Sequence, residues 1–259
     1  MERQPTLVFV ILSREAAKKL NGLRPFASPS SGASGAQGDK QPVMKIVSLN
    51  VGTPEPQIYR GHLVSTAGHK QPVASAMLRF TNLDGDRQAD LKNHGGPDKA
   101  VCVYSFDHYP DWESVLGRKL APGAFSENFT IGGLRESEVC LGDTFRAGEA
   151  LVQISQPRKP CSKLAGKHAR KDLPALIHAN GFSGFYLRVL TEGMVRAGDA
   201  FEPATRHPMG VTVEFANQVM YEHRDDLDSL RRLLAVPELS DAWRKTLLER
   251  LADVTEISQ

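Results

Sequence analysis

The residues best suited to chemistry lie in the run QPRKPCSKL, positions 156–164. Cys161 sits in a stretch, 150–171, that contains no Asp or Glu but holds Arg158, Lys159, Lys163, Lys167, Arg170 and Lys171, with His168 among them. Cations around a thiol favour its thiolate form. A thiolate is what a soft metal or a sulfur-transfer reaction requires. The same cations could hold an anionic group such as a phosphate beside the sulfur. Pro157 and Pro160 stiffen the loop and fix where the thiol points. The competing reading makes Cys161 a small buried spacer and the basic run a solvated face. Cys102, within AVCVY, and Cys140, between Val139 and Leu141, read as core residues.

A second constellation is DLKNHGGPDKAV, positions 90–101. Gly95 and Gly96 permit a tight turn and a close approach of backbone N–H groups to a ligand. His94, Asp98 and Lys99 flank them, and a strand follows. Alone, a Gly-Gly pair before a strand is most often only a turn. A third is FSENFT, positions 125–130, where Glu127 and Asn128 between aromatic residues could orient a ligand. Taken alone, these residues read better as a strand with its polar side chains outward.

The elements that must position these residues are short. Candidate strands cover 45–51, 58–64, 100–105, 151–155 and 184–190, rich in β-branched and aromatic residues with Gly, Pro and Asn between them. This pattern predicts a mainly β (α+β) fold, a barrel or closed mixed sheet. Helices are expected at 106–116, with Trp112 and Val115 on one face, and at 172–179, with Asp172 as N-cap. The last fifty residues change character. Helical spacing recurs over 213–222, over 226–235 (Leu227, Leu230, Leu233, Leu234) and after Ser240 (Trp243, Leu247, Leu248, Leu251). Short helices need a shared core, so a small bundle or a layer packed on the sheet is expected. The chain thus divides into a flexible extension at 1–43 containing the linker-like SPSSGASGAQG, read as a tail ahead of a start at Met44 or, alternatively, as a short helix at 15–20 on a tether, then a β domain at 44–205 and a three-helix domain at 206–259.

Composition narrows the function classes. The chain has 259 residues, 41% hydrophobic and 24% charged, with a net charge of +2, which is ordinary for a soluble globular protein. Three widely spaced cysteines contain no CxxC, which excludes a zinc ribbon or a thioredoxin-type site and fits a reducing compartment. The apolar run at 7–12 is too short to span a membrane, and the basic residues follow it rather than precede it. A cytoplasmic protein is expected. The basic residues of the last helices (Arg231, Arg232, Arg244, Lys245, Arg250) are interleaved with acids, a pattern of solvated surface rather than of nucleic-acid binding.

In this order, KNHGGPDKAV at 92–101, SENFT at 126–130, CLGD at 140–143 and QPRKPC at 156–161 resemble the MOSC family, named for the C-terminal domain of molybdenum cofactor sulfurase. The likeness runs from Met44 to about Pro203, and the C-terminal part resembles the three-helix domain that follows it in the YiiM-like branch. Three positions depart from the usual pattern: Ser126 stands where Gly is usual, Lys99 where Arg is usual, and Ser162 where an aromatic residue often follows the cysteine. The resemblance implies a MOSC-type β-barrel. It implies that Cys161 ligates molybdenum or carries sulfur, and that His94, Gly95, Gly96, Asp98, Lys99, Glu127, Asn128, Arg158 and Lys163 line a molybdenum cofactor (molybdopterin) pocket. It also implies reduction of N-hydroxylated compounds such as hydroxylaminopurine-type base analogues. With no ferredoxin-type cysteine cluster and no dinucleotide fingerprint, electrons must come from a separate flavoprotein or iron–sulfur reductase. The alternative is a carrier of the cofactor, or of sulfur as a Cys161 persulfide. No pyridoxal phosphate is expected, since its link to the family runs through fused sulfurase enzymes. Neither a nucleic acid nor a membrane is an expected partner, and the oligomeric state is left open, a homodimer included.

Overall fold

The computed structural model describes residues 44–59, 62–91 and 94–257. The extension at 1–43, with its expected linker and helix, lies outside the described residues, as do Lys92 and Asn93. Along the chain come β1 (Lys45–Val51), β2 (Glu55–Tyr59), β3 (His62–Thr66), β4 (Gln71–Val73), β5 (Ser75–Leu78) and β6 (Val101–Ser105). After a 3-10 turn and helix α1 (Tyr109–Leu116) follow β7 (Phe129–Gly132), β8 (Thr144–Ala147) and β9 (Ala150–Pro157). Helices α2 (Ser162–Lys167) and α3 (Leu173–Asn180) precede β10 (Phe185–Thr191), β11 (Gly193–Arg196) and β12 (Phe201–Thr205). The chain then runs into α4 (Val213–Tyr221), α5 (Leu227–Leu234) and α6 (Asp241–Ile257).

Eight strands form one sheet in the order β12-β8-β9-β10-β6-β7-β1-β4. Its pairs are antiparallel except β6 with β7. A parallel pair needs a crossover, and the segment carrying α1 supplies it. β6 (VCVYS) is buried at every position, as a strand covered on both faces must be. The sheet curls until its β12 end reaches β1, where Lys45 bridges Ala200 and the Ile46 N–H donates to the Asp199 carbonyl at 2.9 Å. β4 lies beyond β1, so the ladder does not run continuously round, and the closed barrel expected from sequence is not found.

Three local expectations need correction. The single strand expected at 58–64 is a hairpin, β2 with β3, in which Ile58 faces Leu63 and Tyr59 faces His62. A run of β-formers reads as one strand when only composition is considered. Asp172 stands at the N-cap of α3 as expected, but its carboxylate makes no capping bond; Arg170 takes it, through Nε at 2.6 Å and Nη2 at 3.1 Å. Leu248 is 50% exposed, whereas Trp243 and Leu247 are buried. Positions 243, 247 and 251 repeat every four residues along one face, and 248 is turned about 100° from 247.

The C-terminal helices share the core of the sheet. Val213, Ala216, Val219, Leu230, Leu233, Trp243 and Leu247 belong to the same buried cluster as Ile46, Val101, Phe129, Ile154 and Leu187. Ser240 caps α6, its Oγ accepting from the Trp243 N–H, and the Asp226 carboxylate caps α5. Arg244 donates to the carbonyls of Leu234 and Val236, satisfying the end of α5. A second, aromatic cluster holds Tyr104, Tyr109, Trp112, Phe125, Leu164, Leu173, Leu176 and Ile177. There Tyr104 stacks on Phe125 at 4.2 Å, and Trp112 Nε1–H donates to the Tyr104 hydroxyl at 2.7 Å. No helix among the described residues is long and apolar enough to cross a membrane.

Because helices and sheet share one core, Leu247→Ala should destabilise the whole chain by about 3 kcal/mol and still give one cooperative urea transition. Separate transitions for the helical part and the sheet would contradict the shared core.

Candidate functional site

β9 carries the chain to Pro157, and residues 158–160 turn it into α2. Cys161 occupies the N-cap of α2 in an extended conformation, and its Sγ accepts from the Lys163 N–H at 3.3 Å. Cys161 is partly exposed. α2 is tied down on the far side of the sulfur. Leu164 is buried in the aromatic cluster. Lys167 Nζ donates to the carbonyls of Gly68 (2.8 Å) and Gly123 (2.7 Å) and to Ser126 Oγ (3.3 Å). His168 Nε2–H donates to the Ala124 carbonyl at 2.9 Å.

Next to this helix is a cleft of about 260 Å³. Of the residues singled out from sequence, His94, Gly95, Lys99, Asn128, Arg158, Cys161 and Lys163 line it; Gly96, Asp98 and Glu127 do not. Gly95 and Gly96 adopt φ of 80° and 83°, and a Cβ on Gly95 would come within 2.8 Å of Gln88 Oε1. The diglycine therefore serves the turn, with Gly96 shaping it from outside the cleft. The Asp98 carboxylate is held by Arg188, through Nε at 2.9 Å and Nη2 at 2.5 Å, and by the Asp241 N–H at 3.1 Å. It anchors the turn to α6 instead of facing a ligand.

Glu127 is fully buried. Its carboxylate folds back on its own loop and accepts from the N–H groups of Gly123 (2.9 Å) and Phe125 (3.0 Å), the Thr130 hydroxyl (2.7 Å) and the Tyr109 hydroxyl. The polar pair of FSENFT thus points inward, not outward as the residues alone suggested. Asn128 reaches the cleft while its Oδ1 accepts from the Cys102 N–H at 3.1 Å. Ser126 takes φ 63°, the left-handed region that the usual Gly enters without strain. Its hydroxyl donates to the Gly68 carbonyl at 2.7 Å, which helps offset that cost.

Other parts of the cleft were not legible in the sequence. Lys70 and Arg87 join Lys167, already singled out from sequence, as cations of its walls, with Asp86 and Asp90 as the acids. Lys70 and Asp86 form a buried ion pair. Cys102, expected in the core, is buried and also borders the cleft, beside Tyr186. The β2–β3 hairpin supplies Gln57, Ile58, Tyr59, Val64 and Thr66. These residues come from segments far apart in sequence, so no local spacing joins them.

Burial sets the protonation of the site. His94 is pushed below its ordinary value by burial and then by the Arg158 guanidinium, with Asp90 opposing. Its ring is therefore neutral at pH 7. Lys167 is drawn down to about 8 by burial, with Glu127 opposing and Arg158 adding to the fall. Burial also lowers Lys99 and raises the Cys102 thiol. Among the described residues no group of three or more His, Cys, Asp or Glu side chains could hold a metal ion. One accessible sulfur, a neutral imidazole and the cations Arg158, Lys163 and Lys167 suit instead an anionic group whose metal brings most of its own ligands. The residues present fit a molybdenum cofactor in that sense.

Comparison with known proteins places this geometry. The MOSC domain family matches residues 90–202, and the YiiM-like, 3-alpha helix domain family matches residues 211–253. The protein YflK of Bacillus subtilis (strain 168) is 45% identical over 212 residues, covering 82% of this chain and 96% of its own length. The crystal structure of YiiM from Geobacillus stearothermophilus superposes with a TM-score of 0.69 at 41% identity, covering 80% of this chain and 99% of that one. A protein of Gibberella moniliformis (strain M3125 / FGSC 7600) named Reductase is 28% identical over 74% of this chain but only 34% of its own length. The chain belongs to the MOSC-domain family, in the YiiM-like branch that carries a C-terminal three-helix domain.

Proposed function

We propose that the cleft binds a molybdenum cofactor with Cys161 turned to the metal, and that the protein reduces N-hydroxylated compounds with electrons from a separate reductase. The observation that carries this reading is the convergence of Cys161, His94, Asn128, Arg158 and Lys163 on one cleft. The relative named Reductase supports the oxidoreductase class. Three unpaired cysteines support a reducing, cytoplasmic setting.

The reaction converts N–OH to N–H and water, which takes two electrons and two protons. When bound, the cofactor supplies the two-electron chemistry. The chain supplies binding, orientation and proton movement. Arg158, Lys163 and Lys167 attract an anionic group to the wall beside the sulfur. His94, neutral at pH 7, can exchange a proton with a substrate oxygen at a ring nitrogen. α2, pinned by Leu164, Lys167 and His168, keeps the thiol at the cleft instead of in the core.

Cys161→Ala, made in a host that synthesises the cofactor, should lose molybdenum on purification and lower turnover of a hydroxylaminopurine by at least about 100-fold. Unchanged metal content and turnover would defeat the proposal. Metal bound by the wild type with no reductase-coupled turnover would favour the carrier reading.

Lys167 gives a pH test with a definite sign. Below about 8 its ammonium is charged and attracts an anion through that charge, its N–H groups being held by Gly68, Gly123 and Ser126; above it the amine is neutral. Sulfate, whose charge is constant over this range, should bind the cofactor-free protein more weakly as pH rises through 8, and Lys167→Gln should flatten that dependence. Stability should move the opposite way. An unfolded lysine titrates at about 10.4, so between pH 8 and that value the unfolded chain binds more protons and stability rises with pH. Calorimetry at fixed ionic strength reads the first effect and urea unfolding the second. An unaltered sulfate profile in Lys167→Gln would count against this assignment.

A further inference from the structure

A buried carboxylate that does not line the cleft is wired to it through the backbone. Glu136 stands in the segment between β7 and β8 and is 4% exposed. Its own carbonyl accepts from the Glu214 N–H at 3.1 Å, at the start of α4. Its carboxylate accepts twice: Oε1 from the Gly184 N–H at 2.7 Å and Oε2 from His108 Nε2–H at 2.7 Å. The His108 ring is buried and stacks on Phe182 at 3.7 Å. Its Nδ1 has no hydrogen-bond partner among the described residues, so the polar contact of this ring goes to Glu136. The turn at 182–184 is held at each residue. The Phe182 carbonyl accepts from the Tyr104 hydroxyl at 2.9 Å, and Ser183 Oγ accepts from Asn217 Nδ2 of α4 at 2.8 Å. Gly184 takes φ 70° and lies so close to β6 that a Cβ there would come within 2.3 Å of the Val103 carbonyl oxygen. The Gly184 carbonyl in turn accepts from the Arg158 N–H at 3.0 Å. Arg158 is the first residue after β9 and stands three before Cys161.

We infer that Glu136 is a positioning residue of the cleft: acting through Gly184, it fixes where the chain leaves β9 and so where Arg158 stands beside the cysteine. This rests on the reading of the cleft as the seat of an anionic group. Burying a carboxylate is costly, and an apolar side chain of similar size would fill the same space more favourably. What an acceptor at this reach adds is a Gly184 with one orientation, and the Gly184 carbonyl carries the bond to Arg158. Glu214 and Asn217 tie the acid and the turn to α4, so the packing of that helix is passed on to the cleft.

The test uses the cofactor-free full chain. NMR follows the titration of the His94 ring, its signal identified by its loss in His94→Gln, and calorimetry follows sulfate binding. Burial and then the Arg158 charge hold His94 down. Glu136→Ala should let that charge shift, raising the His94 midpoint by about 0.3–0.5 pH unit and weakening sulfate binding about threefold. Glu136→Gln keeps an acceptor at the same reach and should match the wild type in both. Glu136→Asp keeps the charge but falls one methylene short, so it should behave as Glu136→Ala does, and it carries the test should the alanine variant fail to fold. The reverse pattern, with Asp like the wild type and Gln displaced, would mean that Glu136 acts by charge alone and would overturn the inference. So would an unmoved His94 in Glu136→Asp. Leu247→Ala loosens the core without touching the turn and should leave His94 in place; an equal shift there would reduce the effect to lost stability and also overturn it. A wild type that binds no sulfate would count against the anion reading and leave the role of Glu136 standing on the His94 titration.

Discussion

The site is organised around a guanidinium that has almost no water. Arg158 is 5% exposed, and its Nη2 donates to the Phe125 carbonyl at 2.6 Å while its backbone N–H donates to the Gly184 carbonyl at 3.0 Å. Burial works against its charge, whereas the Glu127 carboxylate nearby favours it. Burying a cation is costly unless its surroundings are ordered to receive it. The order is visible: Glu127 collects the N–H groups of the 123–127 loop and thereby aims the Phe125 carbonyl at Arg158. The charge then reaches outward, adding to the burial that lowers His94 and Lys167.

The same constraint explains why this fold needs its second layer. The loop that ends at Cys161 leaves β9, and β9 is braced from behind by the C-terminal helices. Ser240 Oγ donates to Gln156 Oε1 at 2.7 Å, and the Ser240 N–H donates to the Ser155 carbonyl at 3.0 Å. Asp98 joins the diglycine turn to the start of α6. Both edges of the cleft, the His94 turn and the cysteine loop, are therefore attached to one helix. The three-helix unit is part of the scaffold of the site as well as a cover for the sheet.

How much of this was legible in the sequence follows from the range of the interactions. Cys161 and the His94 turn were found because proline, glycine and a run of cations act locally. The C-terminal helices are legible because their leucines repeat at helical spacing, but the apolar stripe of α6 is wider than its contact face, which leaves Leu248 outside. The roles of Asp98 and Glu127 were misjudged. Both are acids beside ligand-facing residues, and only the fold reveals that backbone N–H groups and Arg188 claim their oxygens. The β2–β3 hairpin was missed as a hairpin, and with it Tyr59, because pairing between two short strands leaves no trace in composition. Lys70, Arg87 and Tyr186 arrive from distant segments, which no spacing rule can join. The departure at Ser126 was legible as a substitution, but not that its backbone takes the left-handed conformation without glycine.

The account stands on one bond, from the Cys161 sulfur to a metal. X-ray absorption at the molybdenum edge of the cofactor-loaded protein reads it most directly. Wild type should show one more sulfur neighbour at bonding distance than Cys161→Ser does. Identical sulfur shells in the two proteins would mean that the thiol does not ligate the metal, and the central claim would fail.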